Sequence, residues 1–176
     1  MPRPDLDPAL IVLIGVAGAG KSTLAAQWRP SQVLSLDAYR GIVSDDENDQ
    51  EATADAVMVL HAVLDARLRR NLVTVVDATN VSPDARRPLL DLATAHHMSA
   101  TAIVVDTPLP LCQTRNAGRP GPRGSARWGR RVPADVVEEQ HRQLRESIPH
   151  LCEEGFAKVI IYSQHRDDER PYPVQF

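Results

Sequence analysis

Only two cysteines, Cys112 and Cys152, occur in the 176 residues. They are far apart and lack metal-ligand spacing, so both read as reduced thiols of a cytoplasmic protein rather than a disulfide framework. No apolar run approaches the ~18 residues that a membrane span needs, which excludes a membrane protein of the helical kind. The one stretch that imitates a secretory signal, residues 9–16 followed by Ala17-Gly18-Ala19, is short, and Asp5 and Asp7 outweigh Arg3 in front of it. It reads as a core strand. A basic excess is missing too. The formal net charge is −3, so any nucleic-acid contact must come from a local basic surface. The six histidines are scattered without ligand spacing, and no internal repeat is present. What remains is the composition of a globular chain, 43% hydrophobic and 24% charged, long enough for one domain with a real core.

Within that composition one stretch stands out: Gly15-Val16-Ala17-Gly18-Ala19-Gly20-Lys21-Ser22. It fits the G-x-x-x-x-G-K-[ST] phosphate loop of nucleoside-triphosphate proteins. The glycines allow backbone N–H groups to curl around β- and γ-phosphates at the start of the following helix. Gly15, Gly18, Ala19, Gly20, Lys21, Ser22 and Thr23 are therefore the expected nucleotide contacts, with Lys21 on the phosphoryl oxygens and the Ser22 hydroxyl on Mg²⁺. The flanks agree. Leu10-Ile11-Val12-Leu13-Ile14 is the unbroken apolar run of a buried parallel strand, and residues 23–28 read as helix until Pro30.

The same reading continues along the chain. Residues 1–9 form a proline-rich tail, and strands are expected at about 10–15, 32–36, 72–77, 102–106 and 157–162. The second strand ends at Asp37, before a polar acidic loop over 41–50. Helices are expected at 51–70, from the Ser82-Pro83 cap to about His96, from Thr107-Pro108 to about Ala117, and over 134–154. Residues 166–176 form a polar tail, which leaves one domain over 10–165. Strands alternating with helices predict an α/β fold with a parallel five-stranded sheet flanked by helices. Ligands bind beyond the carboxyl ends of such strands, so the loop, Asp37, Asp77 and Asp106 should share one edge.

Two further features suggest transfer of phosphate rather than mere binding. Asp37 beside the loop suits a carboxylate that orients an acceptor hydroxyl and takes its proton. Asp77 ends an apolar strand as a Mg²⁺- or water-holding aspartate does. Between about 115 and 132 lies an arginine-rich lid: Arg115, Arg119, Arg123, Arg127, Arg130 and Arg131 occur without an intervening acid. Closed over a triphosphate, it would supply positive charge to a phosphoryl transition state, and Trp128 in its middle could stack on a base.

Residues 33–50, Val33-Leu34-Ser35-Leu36-Asp37-Ala38-Tyr39-Arg40-Gly41 and the acidic run after them, together with Val75-Val76-Asp77-Ala78-Thr79-Asn80, resemble the 5′-hydroxyl kinase domain of bacterial polynucleotide kinase-phosphatases. Cys112-Gln113-Thr114-Arg115-Asn116 and Glu154-Gly155-Phe156 add to the likeness, which spans about 10–162. The resemblance implies a P-loop kinase fold and ATP (or another NTP) with Mg²⁺ as cofactors. It makes Asp37 the general base and Lys21 and Arg115 catalytic. Arg40 would contact a phosphate of the acceptor strand, and Arg115 and Arg119 the ATP phosphates. Ser22 and Asp77 remain the metal-side residues, Asp77 through water. The acceptor implied is a 5′-OH end of RNA or DNA, with phosphatase and ligase partners in trans. Residues 120–130 resemble an insertion in the lid. Two other readings stay open: a P-loop kinase for a sugar, nucleoside or antibiotic, and a nucleotide-binding partner module without catalysis.

Overall fold

The computed structural model describes residues 9–119 and 131–163 and the backbone of Tyr172–Gln175. Residues 1–8 of the expected tail over 1–9, and Arg123, Arg127, Trp128 and Arg130, lie outside the described residues, whereas Ala9 already belongs to the first strand. The first strand, β1 (Ala9–Ile14), is buried along its whole length, because its neighbours cover both edges and helices cover both faces. It pairs in parallel with β3 (Thr74–Asp77) on one side and with β4 (Ser99–Asp106) on the other. β2 (Val33–Ser35) lies outside β3, and β5 (Lys158–Ser163) outside β4, both parallel. The five parallel strands expected from the sequence are thus present. A sixth, β6 (Tyr172–Gln175), runs antiparallel along β5 and completes the order β2-β3-β1-β4-β5-β6. The expected C-terminal tail is therefore partly sheet, an edge position where its proline is tolerated.

The chain leaves β1 for one half of the sheet and returns past it to the other. This puts a topological switch, and hence a crevice, at the carboxyl end of β1. Leu10, Val12 and Ile14 point into the larger core with Leu60, Leu64, Leu89, Leu144 and Phe156, whereas Ile11 and Leu13 pack with Val75, Ile103 and Ile160 on the opposite face.

Several element boundaries differ from expectation. The helix after the phosphate loop, α1, spans only Lys21–Ala25. Asp37 does not close a strand: Ser35 accepts a hydrogen bond from the Ala38 amide and caps α2 (Leu36–Ser44), so Asp37 lies in that helix's first turn. Residues 41–44, expected as loop, complete α2. α3 (Thr53–Leu68) and α4 (Pro83–Ala95) fall where the apolar spacing puts them, and Ser82 caps α4 by accepting from the Ala85 amide. α5 spans Leu109–Ala117. Thr107 is not its cap; its hydroxyl donates to the Ala19 carbonyl at 2.8 Å and ties β4's exit to the phosphate loop. α6 (Ala134–Ser147) is shorter than expected, because a tight turn at Ile148–His150 follows it.

Candidate active site

The loop between β1 and α1 is held from behind. The Gly15 amide donates to the Thr79 carbonyl at 3.0 Å, and the Asn80 side-chain amide donates to the Leu13 carbonyl at 2.8 Å. Gly18 and Gly20 have φ of 84° and 102°, a left-handed region that other residues enter at a cost. A Cβ on Gly18 would also sit 2.3 Å from the Cys112 carbonyl oxygen. Glycine is required there on both counts. Ala19 is fully buried, while Ser22 and Thr23 are exposed at the start of α1.

Lys21 is buried, and its ammonium donates to the Val16 carbonyl at 2.8 Å. Burial pulls its pKa down from 10.5 to about 8, opposed by the charges of Asp77 and Asp37 and reinforced by Arg119. Asp77 is buried at the end of β3, and burial pushes its carboxyl upward, opposed by Lys21 and by a hydrogen bond from Ser22. The Ser22 hydroxyl and the Asp77 carboxylate thus meet. Two adjoining oxygen donors, one anionic, suit a hard divalent cation such as Mg²⁺ that keeps most of its waters.

Facing the loop, Asp37 and Arg40 form an ion pair along one face of α2. Arg40 is buried and also donates to Thr53 Oγ1 at 3.2 Å and the Glu47 carbonyl at 3.4 Å. The acidic run around Arg40 serves the loop itself. Asp46 accepts from the Asn48 amide at 2.8 Å, and Asp49 accepts from the Glu51 amide at 2.9 Å as α3 begins.

These groups line one cleft of about 270 Å³: Lys21, Ser22, Asp37, Arg40, Asp77 and Arg119. Gln50, Thr53, Thr79, Val132 and Gln140 complete its wall. A wider hollow of about 680 Å³ opens between the start of α4 and the end of α6, but neither Lys21 nor Asp37 reaches it. Arg115 and Asp106 stand apart from the cleft. Arg115 is exposed on α5, near enough to Cys112 to act on its thiol. Asp106 is engaged by Arg145, with contacts of 2.8 Å to Oδ1 and 3.1 Å to Oδ2. Arg131 donates to the Arg119 carbonyl at 3.1 Å.

A strand-loop-helix of this form, at the switch point of a parallel sheet, can be compared with known proteins. A family model described as an AAA domain matches residues 10–150. The chain belongs to the AAA-domain family. No curated protein matches it. Among solved structures, the AAA-domain chain is similar to the AvrRxo1-ORF1:AvrRxo1-ORF2 complex with sulphate ions, at 14% identity and a TM-score of 0.73, covering 97% of this chain and 58% of that one. It is similar to a chain of the Pnkp1/Rnl/Hen1 RNA repair complex, at 20% identity and a TM-score of 0.65, covering 98% and 51%. It is also similar to Chaetomium thermophilum Kti12 in complex with ADP-AlF3, at 18% identity and a TM-score of 0.60, covering 91% of each chain. At these identities the likeness is one of fold: a P-loop kinase-like domain. The chain spans little more than half the length of the first two. Among the described residues of this AAA-domain protein, no helix is long and apolar enough to cross a membrane.

Two contacts around the site were not foreseen from the sequence. Asn116, behind the cleft, pairs with the main chain of Val132 in both directions, at 2.7 and 2.9 Å, and so clamps the end of α5 to the segment that leads into α6. Gln140 accepts a hydrogen bond from the Ala17 amide within the phosphate loop at 3.0 Å. Its signal is a glutamine on the otherwise apolar seam between Val137 and Leu144.

Proposed function

We propose that this protein is an ATP- and Mg²⁺-dependent kinase that transfers the γ-phosphoryl group to the 5′-OH end of RNA or DNA. The observation that carries the proposal is the cleft lined by both Lys21 and Asp37, a buried cation next to the phosphate loop and an exposed carboxylate close enough to act on its charge. The Pnkp1/Rnl/Hen1 similarity adds a repair kinase fold to the resemblance in sequence.

In this reading the loop amides from Gly15 to Thr23, including Gly18, Ala19 and Gly20, hold the triphosphate, and Lys21 binds the oxygens of the group being transferred. Ser22 and, through water, Asp77 would hold Mg²⁺, whose charge would offset that of the phosphates. Asp37 accepts a hydrogen bond from the 5′-OH and takes its proton as the new O–P bond forms and the bond from γ-phosphorus to the bridging oxygen breaks. ADP leaves with the electron pair. Arg119, already on the cleft wall, stabilises the transferring group, and Arg115 joins it when the lid closes. Arg40 holds Asp37 in place and receives a phosphate of the acceptor strand. The setting is cytoplasmic, with phosphatase and ligase partners acting in trans on the same ends.

One observation favours a small-molecule acceptor instead: Arg40 is buried and already engaged by Asp37, Thr53 and the Glu47 carbonyl. Transfer from labelled ATP to a 5′-OH oligonucleotide and to a small alcohol, in wild type and Arg40→Ala, separates the two. Loss of at least about tenfold more on the oligonucleotide, the worth of one charge-assisted contact, supports the polynucleotide reading. Equal loss on both acceptors overturns it.

A further inference from the structure

Gln140 stands in the cleft wall, and the reaction scheme leaves its chemistry unused. It stands on α6 three residues after Val137 and four before Leu144, both buried, so it belongs to the face that packs onto the domain. Its Oε1 accepts from the Ala17 amide across 123 positions of sequence. Among the described residues its Nε2 has no hydrogen-bond partner, and the side chain lines the same cleft as Lys21 and Arg119. A planar carboxamide anchored through its oxygen has its two N–H vectors fixed as well. Ala17 precedes Gly18, on the side of the loop away from α1. Ala17, Gln140 and Asp37 line the same cleft, the one in which a phosphoryl group would pass from the loop to Asp37.

We propose that Gln140 binds the γ-phosphate: its Nε2 donates to a γ-phosphoryl oxygen, while the Ala17 amide holds the carboxamide in register. The inference rests on the reading of this cleft as a nucleoside-triphosphate site. A neutral donor suits the position, since Lys21 and Arg119 already crowd it with positive charge. ADP makes no such bond.

The test is the affinity for Mg²⁺-ATP and Mg²⁺-ADP, by calorimetry, in wild type, Gln140→Met and Gln140→Glu. Methionine keeps the length and apolar fit without the donor, and glutamate keeps an acceptor for the Ala17 amide but offers no donor. Both variants should lose roughly tenfold in ATP affinity, as for a hydrogen bond to a charged group, with ADP affinity unchanged. Wild-type ATP affinity in Gln140→Met, or in Gln140→Glu, overturns the proposal; the latter would make Gln140 an anchor only. Equal losses for ATP and ADP in Gln140→Met also overturn it. Wild type that binds neither nucleotide refutes the nucleotide reading beneath it. Wild type that binds ATP but phosphorylates no oligonucleotide refutes only the acceptor.

Discussion

Asp37→Asn tests the proposed chemistry with little disturbance to the fold. Asparagine keeps an oxygen for the Arg40 guanidinium, which also retains Thr53 and the Glu47 carbonyl. The Asp37 side chain is 53% exposed, so replacing its charge should cost no more than about 1 kcal/mol of stability. As a base, however, an amide is useless. Loss of a positioned proton acceptor should lower kcat by ~10²–10⁴, or roughly 3–5 kcal/mol on the barrier. Removing the Asp37 charge also removes one of the influences that hold the Lys21 pKa up, so that pKa drops further below about 8. Measurements at pH 6.5 to 7 leave the ammonium protonated and keep ATP affinity near wild type. The assay is single-turnover transfer from labelled ATP to a 5′-OH oligonucleotide with Mg²⁺, alongside calorimetric ATP binding. Turnover within about threefold of wild type would refute the assignment of Asp37 as base, whatever the acceptor.

Lys21, with a pKa of about 8 in the free protein, should make nucleotide affinity level below that pH. Above it, affinity should fall toward tenfold per unit, with proton uptake on binding visible as buffer-dependent heat. The sign for folding is opposite: the unfolded chain binds more protons between about 8 and 10.5, so this group adds stability as pH rises through that window. Gly18→Ala forces both a left-handed alanine and a clash with the Cys112 carbonyl, and should cut ATP affinity at least tenfold and lower Tm by several degrees. Glu154→Ala strands the fully buried Arg86 guanidinium, which Glu154 holds at 2.5 and 2.7 Å. It should cost about 3–5 kcal/mol in denaturant unfolding.

The donor half of the site was legible because its physics is local: an apolar run, three spaced glycines and Lys21 say most of what the coordinates say. The acceptor half was less so. Leu34-Ser35-Leu36 reads as strand by composition, yet Ser35 caps a helix, and only the tertiary position of β2 at the sheet edge ends the strand there. Gly41 argued for loop but stands within α2, where a Cβ would press on Glu47 Cγ at 2.9 Å as the acidic turn folds back. Arg40 could be named as a phosphate contact, but not as a buried partner of Asp37, since that depends on Thr53 and Glu47 closing around it. Arg86 was invisible for the same reason. Its partners Glu154 and the Asn80 carbonyl are distant in sequence or on the main chain, and no periodicity reports either.

The two halves also differ in how firmly they are built, and this bears on what decides the substrate. Behind the loop, Glu154 holds Arg86, Arg86 donates to the Asn80 carbonyl at 2.7 Å, and Asn80 donates to Leu13 on β1. A buried guanidinium with both partners satisfied leaves the loop little freedom to move. Asp37, by contrast, rides on α2 beyond a three-residue edge strand, on a helix that leaves Ile42 70% exposed. A fold made this way can keep one phosphate-donor geometry while the wall formed by α2 and the start of α3 is rebuilt for another acceptor. In the proposed kinase, acceptor choice would therefore fall to Asp37, Arg40, Gln50 and Thr53, which line the cleft on that side.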